Sequence, residues 1–515
     1  REPMGKNRVW GLKSPEPAGE EARPLPRLRT VDRCQMVLRP TNVEQLIEAD
    51  HPARASWEIV GQQNLDGFYG ALEAVEGVAG RSAWDPRLLI SLWIYAYTQA
   101  VSSGREISRL CRYHPAYQWL TGLQEINHHT LSDFRVEHHQ ALNELFIQIL
   151  GVLSYEGLIT LERVMHDGTK VKACAADKSF RREGTLQKHL EAARQQVEEM
   201  GDPRSEERNE CVAKARERAA REKQQRLEAA LGQLQQLQAE ARSKKRKPPR
   251  VSTTDPEARI MKQADGGFAP SYNVQISSDA KADLIVGIGV CQAANDTAEL
   301  PPAIERVKAN LGEVPQQVVV DGGFINQGTM VAMEAQGIDL IGPMPDHASQ
   351  TVAAFEKRGV APEFFPQAFT YDAERNCYVC PAGRDLAFES QEKSEGSARY
   401  RYRAKLADCQ SCPSKGQCCP QSQRRSLVRT EEPPEVRRHR EKMASESARE
   451  IYKQRSQIAE FPNAWIKEKF GLRRFRLRGL IKVTMEAMWA AIAYNLSQWI
   501  RLCWKPKKAM VGTLN

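Results

Sequence analysis

The feature that most constrains the fold is a pair of strand-like runs, each leading into an aspartate that is followed by glycine. The first run, residues 158–165, precedes Asp167-Gly168, and the second, residues 318–320, precedes Asp321-Gly322. Apolar patterns predict further strands at 272–276, 284–290 and 338–341, and helices at 298–311 and 328–336. Neighbouring strands followed by alternating strands and helices indicate an α/β fold built on a mixed sheet.

A third carboxylate lies in the pattern Tyr452-x2-Arg455-x4-Glu460-x6-Lys467, which predicts a helix. Seven residues are nearly two helical turns, so Glu460 and Lys467 are expected on one face. Two strand-borne aspartates and one helix-borne glutamate can hold two Mg²⁺ or Mn²⁺ ions, the arrangement used to cut phosphodiester bonds. Taken singly, each Asp-Gly pair is also typical of an ordinary turn, and Glu460 of a helix surface.

Half of the twelve cysteines lie between Cys377 and Cys419, which indicates a metal site in a reducing cytoplasm rather than a disulfide framework. Cys409-x2-Cys412 has the spacing of tetrahedral Zn²⁺ ligands. Cys380 and Cys418 complete one set of four, and Cys377-x2-Cys380 with Cys409-x2-Cys412 is the competing set. Cys419 is then spare, and four unligated thiols in a loop are the remaining alternative.

The charge distribution predicts a polyanionic partner. The net charge is +9, and residues 467–508 alone hold eleven Lys and Arg against two Glu. Aromatic residues alternate with these cations, as in many nucleic-acid-binding segments, although a solvated cationic face has the same composition. Arg473, Arg474 and Arg478 follow the predicted Glu460 helix and are expected to hold phosphates near it.

The N-terminal part is predicted to be helical. Residues 1–29 are polar and proline-rich and predict an arm, while residues 84–155 have helical periodicity. Thr130-x-x-Asp133 resembles a capping box that opens a helix continuing to Phe146, with Arg135 and His139 facing outward. Several short helices before such a basic helix are similar to a helix-turn-helix module, and an ordinary helical packing domain is the alternative. No apolar run is long enough for a membrane span.

A helical hairpin or coiled coil is predicted at 180–250, where Gln, Glu, Arg and Ala dominate and leucines recur at helical spacing. The turn is expected near residues 201–203, and the basic run that ends in Pro248 should terminate the second helix. An insertion of this kind is more typical of an interaction or architectural element than of a catalytic one.

Together these motifs resemble the DDE transposases of bacterial insertion sequences, in the subgroup with an Asp-Gly-Thr-Lys motif, here residues 167–170. Further similar segments are 271–275, 295–296, 478–483 and 493–496. The resemblance implies a ribonuclease H-like sheet with Asp167, Asp321 and Glu460 as catalytic ligands of two metal ions. The broader transposase pattern has one residue fewer after Arg455 and would place Ala459 at the catalytic position. Glu450 and Glu468 are the alternative carboxylates.

The resemblance also implies residue roles and partners. Lys170, Tyr452, Arg455 and Lys467 would contact DNA phosphates, and Cys418 is favoured as the fourth zinc ligand. The expected function is to bind the double-stranded terminal repeats of an element, cleave its ends and join the 3′-hydroxyls to target DNA, as a homodimer in the cytoplasm with the nucleoid. A regulatory protein without catalysis and a metal-dependent nuclease are the alternatives.

The expected organisation has four parts. These are an N-terminal arm and helical segment (1–83), a helical DNA-binding domain (84–157), a catalytic domain (158–503) and a basic tail (504–515). The catalytic domain would contain the helical insertion at 180–250 and a small zinc-ribbon-like insertion at 343–430.

Overall fold

The computed structural model describes residues 34, 36, 40–74, 82–200, 210–240, 248–344, 347–394, 397–431 and 433–505. Residues 43–515 form one compact unit, distinct from residues 1–42. The predicted arm at 1–29 and most of the predicted basic tail therefore lie outside the described residues. Within the described part of the chain, no helix is long and apolar enough to cross a membrane.

The region before the sheet is helical, as predicted. Its helices are α1 (Pro52–Val60), α2 (Asp66–Tyr69), α3 (Pro86–Thr98), α4 (Gly104–Leu110), α5 (Pro115–Thr121), α6 (His128–Glu137) and α7 (His139–Tyr155). The predicted capping box at Thr130 is wrong. Asn127 caps α6 by accepting the N–H of His129, so α6 begins before Thr130. The backbone of His138 leaves the helical region, which divides the predicted single helix into α6 and α7.

The main sheet is mixed. The strands of this half of the chain are β1 (Arg163–Lys172), the short pair β2 (Phe180–Arg181) and β3 (Val251–Ser252), β4 (Arg259–Lys262), β5 (Phe268–Asp279), β6 (Leu284–Cys291), β7 (Gln317–Val319) and β8 (Asp339–Ile341). β5 pairs antiparallel with β1, β4 and β6, whereas β1, β7 and β8 are parallel neighbours. Helix α10 (Leu300–Leu311) leads from β6 to β7, and α11 (Gln327–Ala335) connects the parallel strands β7 and β8.

The insertion after β2 consists of two antiparallel helices, α8 (Glu183–Met200) and α9 (Glu210–Glu240). Gln238 at the end of α9 reaches Glu183 at the start of α8, while Lys223 reaches Gln196. Between these contacts the helices share an apolar seam that includes Leu190 and Leu234. The predicted turn at 201–203 lies outside the described residues.

The cysteine-rich segment forms a second sheet, with antiparallel order β13-β12-β11-β10-β9. Its strands are β9 (Thr370–Asp372), β10 (Cys377–Val379), β11 (Asp385–Ser394), β12 (Ser397–Ala404) and β13 (Ser426–Glu431), and its helices are α12 (His347–Lys357), α13 (Leu406–Gln410) and α14 (Lys415–Cys418). The tyrosines Tyr371, Tyr378 and Tyr402 pack edge to face on one side of it.

Four helices complete the chain: α15 (Pro434–Ala444), α16 (Glu446–Lys453), α17 (Arg455–Glu468) and α18 (Leu480–Leu502). Helix α17 continues through Pro462, which is buried. α18 packs against α3, α7 and β6, so that a single hydrophobic core extends from Ile47 to Trp499. The predicted boundary at residue 157 consequently does not separate two cores.

Candidate active site

The strand register brings Asp167 and Asp321 together. β1 and β7 are parallel, and their pairing ends with Met165 opposite Val319. Asp167 lies two residues beyond Met165 within β1, and Asp321 lies two residues beyond Val319, just after β7 ends. Met165 and Val319 both pack against α17, so the two aspartates follow them at the same end of the sheet.

Asp167 differs from the prediction in one respect, since it lies inside a strand rather than after one. β1 starts at Arg163 and continues to Lys172, because β5 pairs with it along the segment from Val164 to Lys172. The predicted strand-like run at 158–165 therefore begins before β1 does, and β1 continues through the Asp167-Gly168 pair. The longer strand keeps the backbone extended on both sides of the carboxylate.

Helix α17 supplies the groups that hold the aspartates. Arg455 donates from Nη2 to Asp167 Oδ1 at 3.0 Å, and the same nitrogen lies 3.9 Å from Asp321 Oδ2. Asn463 donates from Nδ2 to Asp167 Oδ2 at 2.9 Å. One guanidinium thus bridges two carboxylates, and the side chains of Asp167 and Arg455 are only 19% and 12% exposed.

Burial dominates the electrostatics of this pair. It raises the pKa of Asp167 to about 6; Arg455 opposes the shift and Asp321 adds to it. Burial also lowers the pKa of Lys467, and the nearby charge of Asp167 opposes that shift. Two carboxylates that share one guanidinium retain excess negative charge when both are ionised, and a divalent cation neutralises such a site.

A hydrogen-bonded layer supports β1 from behind. Asp296 accepts hydrogen bonds from Asn273 at 2.6 Å and Gln275 at 2.8 Å, and it pairs with Lys170 at 3.1 Å. Burial alone would raise the pKa of Asp296, but these bonds and Lys170 hold it below its ordinary value. The layer therefore fixes the Lys170 ammonium against Asp296, on the face of β1 opposite to that of Asp167.

His166 belongs to the same layer. Its Nε2 and Nδ1 each lie 2.9 Å from a partner, Gln275 Oε1 and Ser277 Oγ respectively. Burial lowers the pKa of His166 to about 4, so the ring is neutral at pH 7. Because Gln275 donates its amide N–H to Asp296, its oxygen accepts the Nε2–H of His166. His166 consequently supports the strand rather than titrating near neutrality.

Glycine is required at position 168 because the side chains of Asp296 and Gln275 approach its backbone closely, not because the chain turns there. A Cβ at this position would lie 2.4 Å from Asp296 Oδ1 and 2.7 Å from Gln275 Nε2. Since those two side chains occupy the space, only glycine fits beside Asp167.

The structure does not bring Glu460 to the two aspartates. The positions of α17 that face β1 are Arg455, Ala459 and Asn463, which follow one another at intervals of four residues, and Glu460 is exposed beside them. Among the described residues, no three His, Cys, Asp or Glu side chains are close enough to hold a metal ion. The alternative carboxylates also lie at the surface, where Glu450 pairs with Lys453 and Glu468 with Arg473.

Asn463, Asp296 and Gln275 were not identified as site residues from the sequence. For Asn463 a signal existed, because it lies four residues after Ala459 and eight after Arg455 on one ridge of the helix. Asp296 gave no local signal that assigned it to the site, since its partners are on β1 and β5.

The other candidate DNA-binding residues divide by exposure. Tyr452 is half-buried against the apolar cluster that contains Met165 and Val319. The remaining candidates are exposed: His139, Arg473, Arg474 and Arg478. The segment around Arg474 pairs with the end of β1 through a bridge to Lys172.

The expectation that Arg135 faces outward is wrong. Arg135 is only 5% exposed, donates to the backbone oxygen of Ser102 at 2.7 Å and lies over the ring of Trp93. The sequence pattern misplaced it because α6 is packed on several sides by other helices.

The cysteine cluster surrounds one small cavity of about 30 Å³. The cysteines that line it are Cys380, Cys409, Cys412, Cys418 and Cys419. Cys377 is buried in β10 and does not line it. Burial raises the pKa of Cys418 to about 12. The thiols enclose an ion-sized space, but no three of them lie close enough to hold a metal as they stand.

Comparisons with known proteins agree with these observations. Residues 379–500 match a family model described as a transposase DDE domain, and residues 41–137 match one described as a transposase domain (DUF772). No curated protein matches the chain. One similar solved structure is a piggyBac transposase synaptic complex with hairpin DNA, 7% identical, with a TM-score of 0.25 over 88% of this chain and 83% of that one. A score this low carries no argument about the fold.

Proposed function

We propose that this chain, a DDE transposase, binds the terminal repeats of an insertion sequence, cleaves the ends and joins the 3′-hydroxyls to target DNA at the Asp167–Asp321 site. The observation that carries this proposal is the contact of Arg455 with both Asp167, within β1, and Asp321, just after the neighbouring parallel strand β7. The order β6-β5-β1-β7-β8, with antiparallel pairs followed by parallel ones, supports a ribonuclease H-like sheet.

Asp167 and Asp321 would hold Mg²⁺ or Mn²⁺, with Glu460 as the third ligand. The donor set fits, because carboxylate oxygens are the preferred ligands of these ions and the single guanidinium of Arg455 leaves one negative charge of the two aspartates unbalanced. When bound, two such ions activate the attacking hydroxyl and neutralise the leaving oxygen. Lys467, whose pKa burial lowers against the opposing effect of the nearby Asp167 charge, would supply positive charge for the phosphate. Lys170, which pairs with Asp296, is proposed for the same role.

Two observations support Glu460 as the third ligand. Residues three apart are neighbours on a helix surface, so Glu460 lies next to Asn463, the residue that touches Asp167. Glu460 also shares a face with Lys467, whose pKa burial lowers and the nearby charge of Asp167 acts to raise. Its exposed side chain is then available to turn towards an incoming metal ion.

The decisive experiment compares alanine variants in a cleavage assay with a terminal-repeat DNA. Asp167→Ala, Asp321→Ala and Glu460→Ala should each abolish cleavage while DNA binding remains. Glu450→Ala and Glu468→Ala are matched controls, since both carboxylates are already engaged by neighbouring cations. Full cleavage by Glu460→Ala would contradict its assignment, and loss of cleavage in a control variant would identify the third ligand.

The non-catalytic alternative has one observation in its favour, because Glu460 does not meet the aspartates in this structure. It predicts that wild-type protein binds end DNA but leaves it uncut in Mg²⁺ and in Mn²⁺. A plain nuclease would cut but fail to join a precleaved end to target DNA. The strand-transfer assay therefore separates all three functions.

DNA contacts are proposed for the exposed cations that follow α17. Arg473, Arg474 and Arg478 are solvent-exposed, and the segment that carries them adjoins the end of β1. Phosphate contacts of this kind contribute affinity without reading sequence. Tyr452 and Arg455 would contact the DNA strand nearest to Asp167 and Asp321. On the N-terminal helices, His139 is the exposed candidate for a DNA contact. Two DNA ends require two active sites, which favours a homodimer on DNA.

The cysteine cavity is the proposed structural zinc site, with Cys380, Cys409, Cys412 and Cys418 as ligands. Its lining supports Cys418 over Cys377, since Cys418 faces the cavity and Cys377 does not. A closed thiolate site would stabilise this segment rather than take part in DNA cleavage. Metal analysis should find about one zinc per chain, retained in Cys377→Ser and lost in Cys418→Ser.

A further inference from the structure

A buried arginine lies against the cysteine cavity without a carboxylate partner. Arg425 is only 4% exposed and lines the same cavity as the five cysteines. In the described part of the chain, Arg425 forms no ion pair with Asp or Glu. Burial lowers the pKa of Arg425; the neighbouring Cys418, Cys419 and Cys409 oppose this shift, and Arg358 adds to it.

The hydrogen bonds of Arg425 hold it in place but do not neutralise it. Nη1 donates to the backbone oxygen of Cys418 at 3.0 Å, and Nη2 donates to that of Phe364 at 2.7 Å. Nε has no partner. The guanidinium lies over the rings of Phe355 and Phe369, 4.6 and 5.1 Å from their centroids. Backbone oxygens and ring faces solvate a cation only partly, so the charge stays uncompensated.

One sulfur of the cluster accepts a backbone hydrogen bond. The backbone N–H of Arg384 donates to Cys380 Sγ at 3.3 Å, and Gly383 makes the turn that allows this, with a φ of 72°. A neutral thiol is a weak acceptor, whereas a thiolate is a strong one. This N–H is therefore suited to a negatively charged sulfur in the cavity that Arg425 also lines.

We propose that Arg425 is the counter-cation of a thiolate-bound Zn²⁺ ion in this cavity. A zinc ion with four thiolates carries two negative charges in excess, and a buried guanidinium beside them offsets part of that charge. The metal and the arginine then stabilise each other: each leaves an unbalanced charge when the other is removed. This inference rests on the proposed zinc site, but it is independent of DNA cleavage.

The test measures zinc affinity of the full-length protein by competition with a chromophoric chelator. Arg425→Gln should lower the affinity 10- to 100-fold, the usual effect of losing a group that supports metal ligands. Arg425→Lys keeps the charge and should retain most of the affinity. Arg358→Gln is the matched control, because Arg358 is a neighbouring but exposed cation, and should leave the affinity unchanged.

A second readout separates this role from ordinary packing. After zinc is removed by chelation, Arg425→Gln should be at least as heat-stable as the metal-free wild type, because the unbalanced cation is gone. With zinc bound, the same variant should melt at a lower temperature than wild type. Equal losses in both states would overturn the inference and make Arg425 a packing residue.

The remaining outcomes are also decisive. If wild type holds zinc and Arg425→Gln binds it as tightly, the counter-cation role is refuted and the zinc site stands. If wild type holds no zinc and shows no cobalt–thiolate absorption, both fail, while cleavage at the Asp167–Asp321 site is unaffected.

Discussion

Gly168→Ala tests whether the layer behind β1 is as tightly packed as the geometry indicates. The added methyl would lie 2.4 Å from Asp296 Oδ1 and 2.7 Å from Gln275 Nε2. Ordinary contacts of this kind are about 3.5 Å, so one side chain must move by about 1 Å. Asp296 cannot move alone, because Asn273 and Lys170 also hold it.

The expected cost follows from these contacts. Overpacking costs about 1–3 kcal/mol, and a lost hydrogen bond to a charged group costs about 1.5–3 kcal/mol. If the Asp296 carboxylate moves, the overlap with the new methyl is relieved but its hydrogen bond is broken. The two costs therefore do not add in full. The variant should therefore lose about 2–4 kcal/mol of unfolding free energy, measured by urea denaturation.

Two controls sharpen this test. Gly151→Ala in α7 meets no atom within 4 Å and should stabilise by about 0.5–1 kcal/mol. Asp296→Ala removes most of the overlap, so the Gly168→Ala penalty should shrink in that background. If Gly168→Ala is as stable as wild type and cleaves DNA normally, then Asp296 and Gln275 do not pack closely against residue 168.

Four further predictions follow from the site. Burial raises the pKa of Asp167 from 3.8 to about 6, so the folded protein binds its proton more tightly than the unfolded chain does. The metal-free protein should consequently lose stability as pH rises from about 4 to about 6, a trend that Asp167→Asn should weaken in melting curves, since Asp255 and Glu486 have raised pKa values too. Asn463→Leu removes one of the two donors to Asp167 and should lower cleavage more than DNA binding. Arg135→Ala should destabilise the protein by roughly 2 kcal/mol or more and leave the ratio of end to random DNA binding unchanged. Arg473→Ala with Arg474→Ala should weaken binding to both DNAs alike and reduce the salt slope by about two; a selective loss on end DNA would assign recognition to this segment.

Much of the main sheet could be predicted from local pattern. The predicted strands at 272–276 and 284–290 lie within β5 and β6, and the helix at 298–311 corresponds to α10. Apolar residues recur in these segments at the spacing of a strand or a helix, because each element buries its own apolar side chains. The start of β1 was predicted too early, because the apolar run at 158–165 begins before the pairing with β5 does. The polar middle of β1, around Asp167 and Lys170, is held extended by that pairing rather than by its own pattern.

The two aspartates and the motif around Arg455 could be selected as candidates from the sequence, because short motifs record which chemical groups a site needs. What the motifs do not record is how a helix is rotated against a sheet. The contact from Arg455 to Asp167 joins residues 288 positions apart. Only the packing of α17 on β1 determines that Ala459 faces inward while Glu460 is exposed.

The same limit explains the other differences. Arg135 was expected at the surface from its place in a basic helix, but the helices that pack around α6 bury it. The cysteine spacing left Cys377, Cys418 and Cys419 as alternatives, and the folded sheet separates Cys377 from the cavity. The sequence alone determined the residue types and the local periods, since these depend on neighbours within a few positions. The tertiary structure decided which side chains meet, since burial and charge pairing depend on elements far apart in the chain.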